Sequence, residues 1–209
     1  MLEIDNCPWG VIIPDDDNTV NFFLGCSFIP KHMVYSNGLE SVHGFICVNK
    51  ELQLQAKFID HSLFCGLIQD LELMTLYDCL QNIQRIAPYY SGVRFNIFTD
   101  SFNLYHYAQN IYNRHLKRKE RDWFRRQFIE GRDPLTKYFW KVHHVNIRLI
   151  PIKCQCFPKD LREFLKGMGF DFDLEFCKCI IKANALVDQL INNEVDHPIL
   201  QRFVDLDDD

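Results

Sequence analysis

The sequence predicts an α/β domain built on a sheet of mixed strand direction. Three observations carry that reading. Apolar alternation of period two marks Leu52–Phe58 and Val145–Ile152, and short apolar runs mark Val20–Phe28, Gly44–Asn49 and Phe95–Thr99. Helical spacing takes over between and after those stretches. The 209 residues are 47% hydrophobic and 14% aromatic, enough for one sizeable core. No apolar run is long enough to span a bilayer, and MLEIDNCPWG lacks the basic and apolar regions of a secretory signal. Nine cysteines, an odd number, are expected to be reduced thiols of an intracellular, non-secreted protein.

Taken in order, Val11–Pro14 and Val20–Phe28 flank the turn-like Asp15-Asp16-Asp17-Asn18, so residues 1–30 read as a hairpin or ordered N-terminal extension. Met33–Tyr35 opens a strand that meets Asn37-Gly38, a strong turn pair. Gly44–Asn49 is a second strand. Leu52, Leu54, Ala56 and Phe58 alternate with polar residues as a third. From Leu71, the residues Leu73, Leu76, Tyr77, Leu80 and Ile83 recur at helical spacing. Strand Phe95–Thr99 and helix Phe102–Tyr112 follow, then a basic block with a helical stretch at Leu135–Val142, then strand Val145–Ile152. An insertion over 154–178, helical at Leu161–Met168, precedes the closing helix Cys179–Asn193. The domain is thus expected over 31–195, with an acidic tail at 196–209. The element order is βββ-α-β-α-α-β-insertion-α.

Charge is segregated. The net charge is −5, yet residues 114–141 carry ten basic and four acidic side chains, so the rest of the chain is at −11. The block interleaves Arg114, Lys117, Arg118, Lys119, Arg121, Arg125 and Arg126 with Trp123, a pattern suited to phosphate contact reinforced by stacking. A solvated helix face is the plainer reading.

Arg94–Ser101, RFNIFTDS, reads as a buried strand ending in a carboxylate, Asp100, where open α/β sheets place their chemistry. Asp100 also suits the N-cap of the next helix. Glu72 stands near a helix start, where a carboxylate also complements the dipole. Cys154-x-Cys156 and Cys177-x-Cys179 form two close pairs. A zinc clip over the insertion is one reading. The one-residue spacing is shorter than zinc sites use, and buried thiols, each pair on one face of a strand, are the other.

Four stretches together resemble ribonuclease H of the cellular and retroviral type, over residues 32–193. They are Val34-Tyr35-Ser36-Asn37-Gly38, Leu71-Glu72-Leu73-Met74, Phe98-Thr99-Asp100-Ser101 and Asn184-Ala185-Leu186-Val187-Asp188-Gln189-Leu190. The resemblance implies a five-stranded mixed sheet flanked by helices, and a basic handle at 114–141 gripping RNA–DNA hybrid. It also implies a catalytic set at Asn37, Glu72, Asp100 and Asp188. Two Mg²⁺ or Mn²⁺ ions would be held by Glu72, Asp100 and Asp188, with the first-strand position bridging them. That position is then Asn37, whose neutral amide bridges two dications poorly. Two alternatives follow: a nuclease disabled by an engineered asparagine, or a natural non-cleaving module for nucleic acid or protein. A histidine after the fifth strand is also missing, since that stretch reads Pro151-Ile152-Lys153-Cys154-Gln155-Cys156.

Overall fold

The computed structural model describes residues 12–28, 39–64, 68–112, 146–153 and 156–195. Five strands form one sheet: β1 (Thr19–Phe28), β2 (Leu39–Val48), β3 (Leu54–Phe64), β4 (Arg94–Thr99) and β5 (Asn146–Pro151). Their spatial order is β3-β2-β1-β4-β5. The pairs β1–β2 and β2–β3 are antiparallel, while β1–β4 and β4–β5 are parallel. Four described helices flank the sheet: α1 (Ile68–Ile86), α2 (Phe102–Tyr112), α3 (Pro158–Gly167) and α4 (Leu174–Val195).

The period-two alternation sorts side chains to two cores. Val20, Phe22, Leu24, Phe45, Phe95 and Ile97 pack with Leu73, Leu76 and Leu80 of α1 and Leu104 of α2. Phe23, Ile46, Phe98 and Ile150 pack with Leu161 and Leu165 of α3 and with Ile180, Ala183 and Val187 of α4. At Gly44 a Cβ would run into the backbone carbonyl of Phe58, so only glycine lets β3 lie this close.

Several boundaries differ from the sequence reading. The central strand is Thr19–Phe28, which lies inside the stretch expected to be an extension. The expected first strand at Met33–Tyr35 lies outside the described residues. Asp15–Asn18 does form a turn: the Asn18 amide donates to Asp15 O, and the Asp15 amide to Thr19 O. Leu52 belongs to the turn before β3, with φ 63 and its amide donating to Asn49 O. The last helix begins at Leu174, where Asp173 caps it by accepting from the Phe176 amide. Among the described residues, no helix is long and apolar enough to cross a membrane.

Candidate functional site

At the C-terminal end of β4 the chain turns through Asp100 into α2. The cap of α2 is Ser101, not Asp100: its Oγ accepts from the Leu104 amide at 3.1 Å. The same hydroxyl donates to Glu72 Oε2 on α1 at 2.6 Å, which ties α1 to the strand end. Asp188 reaches the region from α4, where Asn184 Nδ2 donates to its Oδ2 at 3.2 Å. Burial holds the Glu72 carboxyl above its ordinary pKa; Ser101 opposes this and Asp100 adds to it. Asp188 is pushed up to about 6, by burial first and then by Asp100. Asp100 thus acts electrostatically on both other carboxylates.

The fourth position differs. β1 is the strand that pairs with β4, and their last paired residues are Phe23 and Phe98. Two residues further along each strand stand Gly25 and Asp100. Thr19–Phe28 contains no acidic residue. Gly25 turns toward α4, and a Cβ there would lie 3.0 Å from Val187 Cγ2 and 3.2 Å from Ile191 Cγ1. The next residue, Cys26, is half-buried, and its thiol is pushed up to about 12 by burial, then by Glu72, Asp100 and Asp188. The thiol thus stays protonated, within electrostatic reach of all three carboxylates. Sequence reasoning missed both Gly25 and Cys26; the legible signal was the apolar run Val20–Phe28 ending in Gly-Cys-Ser.

Asn37 lies outside the described residues, and the strand beside β4 ends at Phe28. The described strand that pairs with β4 is β1, and it brings Gly25 and Cys26 level with Asp100. A pair of dications about 4 Å apart requires hard oxygen ligands converging from several elements. Among the described residues, no group of three or more His, Cys, Asp or Glu side chains converges closely enough to hold a metal ion. Glu72, Asp100, Asp188 and Cys26 do not fit a two-metal site in this arrangement.

Arg114, Lys117, Arg118, Lys119, Arg121, Trp123, Arg125 and Arg126 all lie outside the described residues, as does Cys154. The buried-thiol reading places Cys177 and Cys179 on one face of a strand. They stand two apart on α4, where side chains diverge by about 200°. Both are buried, and the Cys179 thiol donates to Asn49 O at 3.7 Å. Cys156 is half-buried on the approach to α3, with its thiol donating to Lys153 O.

A second polar feature crosses the sheet. Asn21, Asn96 and Arg148 occupy one register level on β1, β4 and β5. Asn21 Nδ2 donates to Asp15 Oδ2 at 2.7 Å, and Asn96 Nδ2 donates to Asn21 Oδ1 at 2.8 Å. Arg148 donates to Asn96 Oδ1 through Nε at 3.0 Å and Nη2 at 2.8 Å.

No known family model matches the sequence, and no curated protein matches it. Solved structures with a similar arrangement include the protease–reverse transcriptase of prototype foamy virus, at 13% identity and TM-score 0.49 over 83% of this chain. This chain spans 20% of the length of that protein. LC11-RNase H1, in complex with RNA/DNA hybrid, matches at 9% identity and TM-score 0.41 over 63% of this chain and 85% of its own. RNase H1 from the halophilic archaeon Halobacterium salinarum NRC-1 matches at 12% and 0.40 over 64% and 86%. The described sheet is mixed, in the order β3-β2-β1-β4-β5, with helices packed on it, as the sequence led us to expect.

Proposed function

We propose that this chain is a nucleic-acid-binding module on a ribonuclease H-like fold, one that engages RNA–DNA hybrid through residues 114–141 without cutting it. A single observation carries the second half of the reading. The central strand delivers Gly25 and Cys26, rather than a carboxylate, to the strand end where Glu72, Asp100 and Asp188 gather. A neutral thiol is a soft ligand and no substitute for the bridging oxygen that paired Mg²⁺ or Mn²⁺ ions demand. The first half is supported by the sequence: a block at +6 within a chain at −5, with tryptophan and phenylalanine among its arginines. The three retained carboxylates favour one competing reading, a nuclease disabled at a single ligand position.

The test compares the full chain with its Asn37→Asp variant on a labelled RNA–DNA hybrid in Mg²⁺ and in Mn²⁺. Binding by both, with no cleavage by either, is expected. Cleavage by the unaltered chain would sink the proposal. Cleavage gained only with Asn37→Asp, and lost again on adding Asp100→Asn, would establish the disabled-nuclease reading in its place.

A further inference from the structure

Arg148 is held in a way that a purely structural arginine does not need. A guanidinium carries five N–H donors. Two are given to Asn96 Oδ1, which leaves three in a side chain that is only half-buried. Asn96 is itself fixed, buried and bonded to Asn21. The plane and direction of the guanidinium are therefore set before any ligand arrives.

The surroundings favour an anion. The charged groups that act on Arg148 are Arg94, of like sign, and Asp17. Asp17 is already engaged, accepting from Thr19 Oγ1 at 2.6 Å and pairing with Lys50 Nζ at 3.2 Å. No ion pair to Arg148 occurs among the described residues. A guanidinium in this position remains charged.

The loop joining α3 to α4 adds aromatic faces. Phe170 and Phe172 are half-buried and nearly parallel, with an interplanar angle of 5° and centroids 6.4 Å apart. Arg148 Cζ lies 6.0 Å from the first centroid and 5.7 Å from the second. The loop is pinned from both sides: the Phe170 amide donates to Leu165 O at 2.9 Å, and Arg162 Nε donates to Phe172 O at 3.2 Å. A fixed guanidinium beside fixed phenyl faces is the combination that takes a phosphate ester with an attached aromatic ring.

We propose that Arg148, presented by Asn96 and flanked by Phe170 and Phe172, is a binding site for a nucleotide: phosphate on the guanidinium, base against Phe170. The site is separate from the carboxylates, since Asn96 precedes Asp100 by four residues along β4, a rise of roughly 13 Å. Its ligand is either a free nucleotide or one nucleotide of a bound strand.

The experiment titrates the full chain, ¹⁵N-labelled at arginine, with adenosine 5′-monophosphate, inorganic phosphate and an oligothymidylate lacking a terminal phosphate. Adenosine monophosphate is expected to shift the Arg148 Nε–H signal and to bind Arg148→Gln at least tenfold more weakly. Phe170→Ala leaves the Arg148–Asn96 bonds in place and guards against a folding defect in the first variant. It is expected to weaken the nucleotide severalfold while leaving inorganic phosphate unchanged. Displacement of the nucleotide by oligothymidylate identifies a strand as the source, and its failure identifies a free nucleotide. Equal nucleotide affinity in the parent and both variants overturns the proposal, as does an unmoved Arg148 signal at millimolar nucleotide. Because no hybrid is used, a negative result here leaves the reading of residues 114–141 standing.

Discussion

Cys26 is the residue on which the site's chemistry turns, since it stands where Glu72, Asp100 and Asp188 all act on it. Replacing it with aspartate adds the missing hard oxygen at the strand end, and adds a fourth negative charge. Without metal, Cys26→Asp is expected to lower the thermal midpoint through like-charge repulsion. With millimolar Mg²⁺ the variant is expected to recover by several degrees, because a cation that binds only the folded state stabilises it by mass action. The parent should respond much less. Equal Mg²⁺ responses would show that Cys26 does not face the carboxylates. Gly25→Asp offers no such gain, because its Cβ meets Val187 and Ile191. The pKa of Asp188, raised from 3.8 to about 6, gives a second residue-scale expectation. A raised carboxyl pKa means the folded state holds the proton more tightly. The folded state is thus favoured below pH 4 and loses that advantage as pH rises toward 6. Asp188→Asn removes the loss, so its thermal midpoint should exceed the parent's at pH 7 and approach it near pH 4. The residue as a whole is exposed while its carboxyl is half-buried, so solvent screening should hold the difference to the order of 1 kcal/mol or less. A lower midpoint at pH 7 would mean the carboxylate makes a net favourable contact.

At the scale of elements, the polar row across β1, β4 and β5 fixes how the parallel half of the sheet lines up. Asn96 is 1% exposed and both donates to Asn21 and accepts twice from Arg148. Asn96→Leu strands an acceptor on one side and a guanidinium on the other, at a cost of about 3 kcal/mol. Urea denaturation with an unchanged slope and a lower midpoint would show it. A loss below about 0.5 kcal/mol would mean the row contributes nothing beyond packing. This row also illustrates what the sequence hid. Strand character was legible locally: Leu54–Phe58 alternates with period two, Val20–Phe28 and Phe95–Thr99 are short apolar runs, and all three lie in strands. The place of a strand in the sheet depends on partners far along the chain. β1 meets β4 through pairs such as Asn21 and Asn96, 75 residues apart, and nothing in Val20–Phe28 itself announces that partner. Asn37-Gly38 drew the first-strand assignment because it resembles a strand motif in which aspartate precedes glycine, although Asn-Gly is a strong turn signal in any context. The cysteine pairs misled for a related reason. Periodicity placed the start of the last helix at Cys179, but Asp173 caps it at Leu174, and the helix separates Cys177 from Cys179.

At the scale of the whole molecule, the elements that carry Glu72, Asp100 and Asp188 were legible because each is set by a short local stretch. The first-strand position was not, because it depended on sheet order. The same contrast separates the fold from the basic block. Lys and Arg rarely enter a core unpaired, so the excess of positive charge in 114–141 is expected to serve a partner rather than the core. Neutralising Arg118, Lys119 and Arg121 together to glutamine is therefore expected to leave the thermal midpoint within a degree or two of the parent's. Hybrid affinity should change in a particular way. Each phosphate contact contributes a slope of roughly 0.7–0.9 to the fall of log K with log salt, so losing three contacts should flatten the slope by about 2–3. The loss should be large at low salt and shrink as salt rises, because the released counterions drive it. A triple variant that binds as tightly as the parent with the same salt slope would place the hybrid contact elsewhere. One that weakens binding equally at all salt concentrations would point to a lost shape contact rather than lost phosphate charge.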